Sequence, residues 1–219
     1  MPKQIVILGT NGNCVDILET IDSINAHQDS RIYECRGFLD DNPSTHGQAL
    51  CGVKVLGPLS LACELADCQF VNGIGSPANY MHKEAIIART NVPLAGFATL
   101  IHPSAAVSRS AQLGRGTVVF ENVTITSNVR IGNHVIILPN AVISHDVVID
   151  DYTCITGGVC IAGGTRVGRQ CYLGANCSIN NNITIGDFSL IGMGSVVLKG
   201  VAENSVVVGN PARFLRHSR

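Results

Sequence analysis

From Val107 onward the chain places an aliphatic residue at every sixth position, and the series runs unbroken through Ile131, Ile155 and Leu173 to Val197. A second residue, small or apolar, falls four places after each marker, as at Val123, Ala141, Thr153, Cys171 and Ser189. A period of six matches neither the 3.6 of a helix nor the 2 of a strand. It fits a short strand followed by a turn, repeated. Three such units close a triangular coil of eighteen residues (three times six), and coils stack through parallel hydrogen bonds at roughly 4.8 Å. The aliphatic marker fills the coil interior and the small residue fits the corner beside it. Sixteen markers make just over five coils, roughly 25 Å of prism at that spacing.

The first hundred residues lack this period. Gln4 to Leu8 reads as a buried strand, followed by a turn at Gly9–Asn13 and a helix carrying Val15, Leu18 and Ile21 at helical spacing. Residues 35–39 and 69–73 read as two further strands, and 59–66 and 78–89 as helices. The expectation is a small Rossmann-like βαβ domain with a parallel sheet over residues 1–100, and an all-β parallel helix over 101–219. Ligands of such sheets sit beyond the carboxyl ends of the strands. The loops there carry Asn11-Gly12-Asn13, Asp40-Asp41 and Gly75-Ser76. The first loop is not G-x-G-x-x-G, so NAD is poorly supported. Its glycine still allows a phosphate to approach a helix N-terminus, and Asp40 stands where an acidic residue commonly meets a ribose. These six positions (Asn11, Gly12, Asn13, Asp40, Asp41 and Gly75) are the candidate nucleotide-binding residues. The same residue types also dominate ordinary turns.

A formal net charge of −1 and a pI of about 6.6 give no electrostatic case for nucleic acid or an anionic membrane. The apolar run Ile5 to Leu8 is far too short to span a membrane, and a cytoplasmic protein is expected. Nine cysteines are present without a C-x-x-C. That argues against a disulfide framework and a zinc site, and each cysteine reads as a buried, reduced side chain.

Motifs along nearly the whole chain resemble one subfamily of hexapeptide-repeat acyltransferases. They are Ile7-Leu8-Gly9-Thr10-Asn11-Gly12, Gly37-Phe38-Leu39-Asp40-Asp41, Ile101-His102-Pro103-Ser104-Ala105, Ile143-Ser144-His145-Asp146 and Val208-Gly209-Asn210-Pro211-Ala212-Arg213. The subfamily is the sugar O- and N-acyltransferases, which includes sialic acid O-acetyltransferase and the nucleotide-aminosugar N-acetyltransferases. The resemblance implies a left-handed parallel β-helix, although ordinary crossover rules favour the right hand. It further implies a UDP- or GDP-linked amino sugar on the first module and acetyl-CoA bound between the subunits of a homotrimer; no metal is expected, since neither a cysteine site nor a third histidine partner is evident. It gives His145 the role of catalytic base and Asp146 that of its orienting partner.

A neutral imidazole suits the chemistry, because an amine attacking a thioester must lose a proton. Either Asp146 or the Asp150-Asp151 pair could orient the ring and stabilise the imidazolium; adjacent strand residues point to opposite faces, so Asp146 needs a local turn to reach His145. Some relatives carry a second histidine nine residues after the first, near the acetyl end of the cofactor; here that place is Cys154. Eighteen-residue stacking puts His145 in a column with Gly163, Asn181 and Lys199, and Gly157 with Ala175 and Met193. Cys154, Gly163, Ala175 and Met193 are therefore the expected acetyl-CoA contacts, with the cofactor phosphates toward Lys199 or Arg213. The competing readings are sialic acid-type O-acetylation, a zinc lyase resembling the gamma carbonic anhydrases, and a non-catalytic sugar-nucleotide module. The lyase would need three histidines around one metal.

Overall fold

The computed structural model describes residues 1–218. Its first part is a five-stranded sheet. Strand β1 (Lys3–Leu8) lies at its heart, parallel to β2 (Tyr33–Leu39) on one side and to β5 (Gln69–Asn72) on the other. Beyond β2 runs β4 (Val53–Gly57), parallel to it, and β3 (Ala49–Leu50) closes an antiparallel hairpin with β4. Helix α1 (Gly12–Ala26) follows β1 and buries Cys14, Ile17, Leu18 and Ile21.

Three details differ from expectation. The hairpin strands β3 and β4 were not foreseen. Residues 59–64 wind as a 3₁₀ helix rather than an α-helix. The expected helix over 78–89 is a 3₁₀ turn, Tyr80–His82, leading into a short α2 (Lys83–Ala88).

From Leu100 the chain becomes the triangular coil that the six-residue period requires. Two-residue strands pair in parallel with those eighteen residues on, as Val142 and Ile143 do with Cys160 and Ile161. Three sheets result. The first face contains 100–101, 118–119, 136–137, 154–155, 172–173 and 190–191, extended by Ser205–Val208 and Arg213–His217. The second face contains 106–107, 124–125, 142–143, 160–161, 178–179 and 196–197, and the third 112–113, 130–131, 148–149, 166–167 and 184–185. The markers from Val119 to Val197 and their partners such as Val123, Ala141, Cys171 and Cys177 form one continuous core. Replacing Ile155, wholly buried at the middle of that stack, with Ala leaves a cavity and costs about 2–5 kcal/mol. Denaturant unfolding should show the loss; an unchanged midpoint would contradict the packing.

The corners follow a rule of their own. At every sixth residue from Gly116 to Gly194 φ is positive, between 49° and 69°. Gly and Asn fill most of these places, as left-handed backbone favours. One column is different: His134, Tyr152, Gln170 and Phe188 stack at the corner between the third and first faces. There the first module docks. Lys83 Nζ donates to the His134 carbonyl at 2.6 Å, Gln170 Nε2 to the Met81 carbonyl at 2.7 Å, and Arg169 pairs with Glu84. The His134 ring stacks on Tyr152 and meets Phe97 edge-on. The outward residues Val118, Phe120 and Ile136 of the first face are buried against α1, β1 and β2. Bulky left-handed residues therefore stand where docking contacts compensate their conformational cost.

Candidate active site

His145 and Asp146 form the turn between the second and third faces. Asp146 has φ +61°, which supplies the local turn its role needs. Its Oδ2 lies 2.8 Å from His145 Nδ1, and its Oδ1 accepts from Asn128 Nδ2 at 3.2 Å. These bonds, the one to His145 first, hold the Asp146 carboxyl below the usual carboxylate range. With Nδ1–H donating to a carboxylate, Nε2 is left with its lone pair free and the ring exposed to solvent.

Gly163 stacks directly beside this ring. A Cβ at Gly163 would lie 2.6 Å from both Cε1 and Nε2 of His145. Gly164, not Gly163, has the positive φ of this corner, so position 163 needs glycine for space rather than for its backbone angle. The Gly163 N–H meets no acceptor among the described residues. At the corner between the third and first faces the equivalent amide is taken by a side chain one coil away, as Asp151 Oδ1 takes Asn133 N–H and Asp187 Oδ1 takes Arg169 N–H. The imidazole and an amide without a protein acceptor thus stand side by side at one corner.

The other expected cofactor contacts lie elsewhere in the same chain. Ala175 and the exposed Met193 stand with Gly157 at the corner between the first and second faces, across the second face from His145. Cys154 is buried on the first face, 3.7 Å from Lys83 Nζ, and Gly75 is so close above it that a Cβ there would lie 2.6 Å from its Sγ. Burial lowers the Lys83 pKa. His134 is also buried and held neutral, its pKa pushed down to about 4 chiefly by desolvation and then by Lys83. It sits a full face away from His145, so the two cannot share a metal. Nor are all the cysteines buried: Cys51, on a turn, Cys63, on the outer side of the 59–64 3₁₀ helix, and Cys160, at an outward strand position, are exposed, and Cys35 in β2 is half-buried.

The strand-end loops of the first module do meet. Asn11, Asp40 and Asp41 line a cleft of about 330 Å³ with Gly9, Thr10 and Arg89. Asp40 accepts from Thr10 Oγ1 at 2.7 Å, and Asp41 pairs with Arg89 at 2.9 Å. Asn13 Nδ2 reaches the Gly73 and Gly75 carbonyls and ties the first loop to the third, while Gly12 opens α1 at the surface. Thr10 and Arg89 were not foreseen; Arg89 comes from the end of α2, distant in sequence from the acid it pairs.

Comparison with known proteins agrees with this architecture. The model of the bacterial transferase hexapeptide, six repeats, matches residues 128–163 and 164–199. A variant of the perosamine N-acetyltransferase of Caulobacter crescentus, solved with CoA and GDP-perosamine, is 25% identical with a TM-score of 0.83, covering 97% of each chain. The chain carries the bacterial transferase hexapeptide repeat over residues 128–199. Another similar structure is the acetyltransferase domain of PglB from Neisseria gonorrhoeae with acetyl coenzyme A, 26% identical with a TM-score of 0.84, covering 98% of this chain and 100% of that chain. Among curated proteins, the UDP-N-acetylbacillosamine N-acetyltransferase of Bacillus subtilis is 35% identical over 123 residues. That alignment takes in 53% of this hexapeptide-repeat chain and 51% of the relative, about half of its length.

Proposed function

We propose that the protein is an acetyl-CoA-dependent N-acetyltransferase acting on the 4-amino group of a UDP- or GDP-linked 4-amino-6-deoxysugar. The observation that carries this is the pairing of a free His145 Nε2 with an unspent Gly163 N–H at one corner. The similar proteins add the substrate class, since their names and ligands are nucleotide-linked amino sugars and CoA. The amine nitrogen attacks the thioester carbonyl as His145 Nε2 takes its proton. Gly163 N–H donates to the oxyanion that develops. The C–S bond then breaks, and the imidazolium returns the proton to the departing thiolate, leaving amide and CoA thiol. Asp146 stabilises the imidazolium and fixes its tautomer.

The acceptor's nucleotide occupies the cleft of Asn11, Asp40 and Asp41, and the acetyl-CoA phosphates lie toward Lys199 and Arg213, which line a cavity of about 520 Å³ at the end of the prism. Geometry supports a homotrimer. The first module covers the first face, and His145 stands on the opposite edge of the triangle. A sugar held by one copy therefore reaches only a neighbour's His145. The same arrangement takes Ala175 and Met193 of one copy toward the His145 of another, whereas Cys154, buried beneath Gly75 and Lys83 of its own first module, is withdrawn from the cofactor. The second face supports this packing too, since its outward residues Ala106, Thr124, Val142, Cys160, Ser178 and Val196 carry no charge.

Release of CoA thiol, assayed with UDP- and GDP-linked 4-amino-6-deoxysugars against free sialic acid, tests the reading. Turnover of a nucleotide amino sugar is expected; turnover of sialic acid alone would replace it with O-acetylation. Mixing two inactive variants, His145→Ala and Asp40→Ala, should restore part of the activity if each site draws on two copies. No recovery after subunit exchange would confine the site to one chain.

A further inference from the structure

The third face differs from the other two in charge. Its outward ladder reads Gln112, Arg130, Val148, Arg166 and Thr184. Arg130 and Arg166 pair with Val148 from either side, so their backbones lie two rungs apart, roughly 10 Å. Both are exposed. Among the described residues neither guanidinium makes a hydrogen bond or an ion pair, whereas Arg31, Arg36, Arg89 and Arg169 each hold a carboxylate. Asp150 acts on Arg166 only at longer range. The two arginines line a groove of about 350 Å³ whose wall includes Asn128 and Asp146. Asp146 is the carboxylate bonded to His145, and with Asn128 its own hydrogen bonds are already committed. The groove therefore opens onto the reacting corner with two unspent cations and one engaged anion.

We infer that Arg130 and Arg166 clamp the diphosphate of the nucleotide-linked acceptor while its amino group lies at His145, in a site shared with the neighbouring copy that holds the nucleotide. The inference rests on the acetyltransferase reading above. A guanidinium presents paired donors in a plane that match phosphate oxygens, and two of them across the uncharged Val148 suit a two-phosphate group. Both substrates carry a diphosphate, and reach decides between them. In acetyl-CoA the whole pantetheine arm separates the thioester from the diphosphate. In the acceptor only a pyranose ring separates the amine from the anomeric diphosphate. A diphosphate one rung from Val148, three residues along the chain from His145, belongs to the acceptor.

The test compares Arg130→Gln, Arg166→Gln and the double variant with the wild-type protein. Steady-state kinetics with the nucleotide amino sugar and acetyl-CoA are joined to calorimetric binding of UDP, GDP and CoA. Each single change should raise the acceptor KM about tenfold and the double change about a hundredfold, with the acetyl-CoA KM unmoved. UDP or GDP binding should weaken in parallel while CoA binding holds. Turnover of the free amino sugar, which lacks the diphosphate, should be equal in all four proteins. A raised acetyl-CoA KM with an unchanged acceptor KM would give the clamp to CoA and overturn the inference, and so would unchanged constants for both. If the wild-type protein turns over no nucleotide amino sugar yet binds UDP or GDP, and the variants weaken that binding, the acetyltransferase reading falls and the diphosphate site stands. Absence of any nucleotide binding by the wild type would overturn the site itself.

Discussion

Replacing His145 with Ala should lower kcat by about 10²–10⁴-fold, the range that loss of a general base produces, with both KM values within about threefold of the wild type. The side chain is exposed and packs against no core residue, so the fold should survive the change. Its Nδ1 is occupied by Asp146 and its Nε2 faces the space beside Gly163, so what disappears is an acceptor for the proton rather than a binding surface. Stopped-flow or steady-state thiol release at saturating substrates measures the effect directly. A variant with near-wild-type kcat would remove His145 from the chemistry. A variant with a large change in KM alone would make it a binding residue instead.

Gly163→Val should be nearly as damaging, by a different route. A Cβ at this position falls 2.6 Å from two atoms of the imidazole and 3.1 Å from Nδ1, so the ring must leave its place. Displacing it breaks the 2.8 Å bond to Asp146 and fills the approach to the Gly163 amide. A misplacement on the order of 1 Å already costs about 100-fold in rate, and the blocked amide should also raise the acetyl-CoA KM at least roughly tenfold. Because φ at Gly163 is not left-handed, the substitution introduces no backbone strain, and thermal unfolding should match the wild type within a few degrees. Activity near the wild-type level would mean that the thioester does not pass this corner. The companion change Gly164→Val strains the backbone at φ +69° and should instead lower stability.

The β-helix was legible because its interior is written in one residue type at one spacing: each marker points inward, and substitution there is restricted by volume. The left-handed corner position was much harder to see. It tolerates Asn128, Asp146, Gly158 and Phe188 alike, since its requirement is a backbone angle that side-chain chemistry records only weakly. The hairpin of β3 and β4 escaped for a related reason. Its turn is Cys51-Gly52, with φ +49° and +79°, the angles of a tight hairpin turn without the Asn or Asp that usually announces one. At the site, His145 and Asp146 were singled out by the family resemblance, and stacking arithmetic added only that Gly163 lies one coil from His145. Thr10 and Arg89 were not, because each is defined by a partner on another element. The placement of Cys154 under Gly75 depends on how the first module docks, which no local pattern in either part records.

The ladder also sets distances in this molecule. The docking column of His134, Tyr152, Gln170 and Phe188 and the corner of His145 are rungs of the same stack. Their separation along the axis can change only in whole steps of roughly 4.8 Å. Gradual drift in this dimension is closed to the protein: a loop lengthens by single residues, but this scaffold lengthens by eighteen. A longer or shorter acceptor is met by altering the loops of the first module, while the prism keeps the measure fixed.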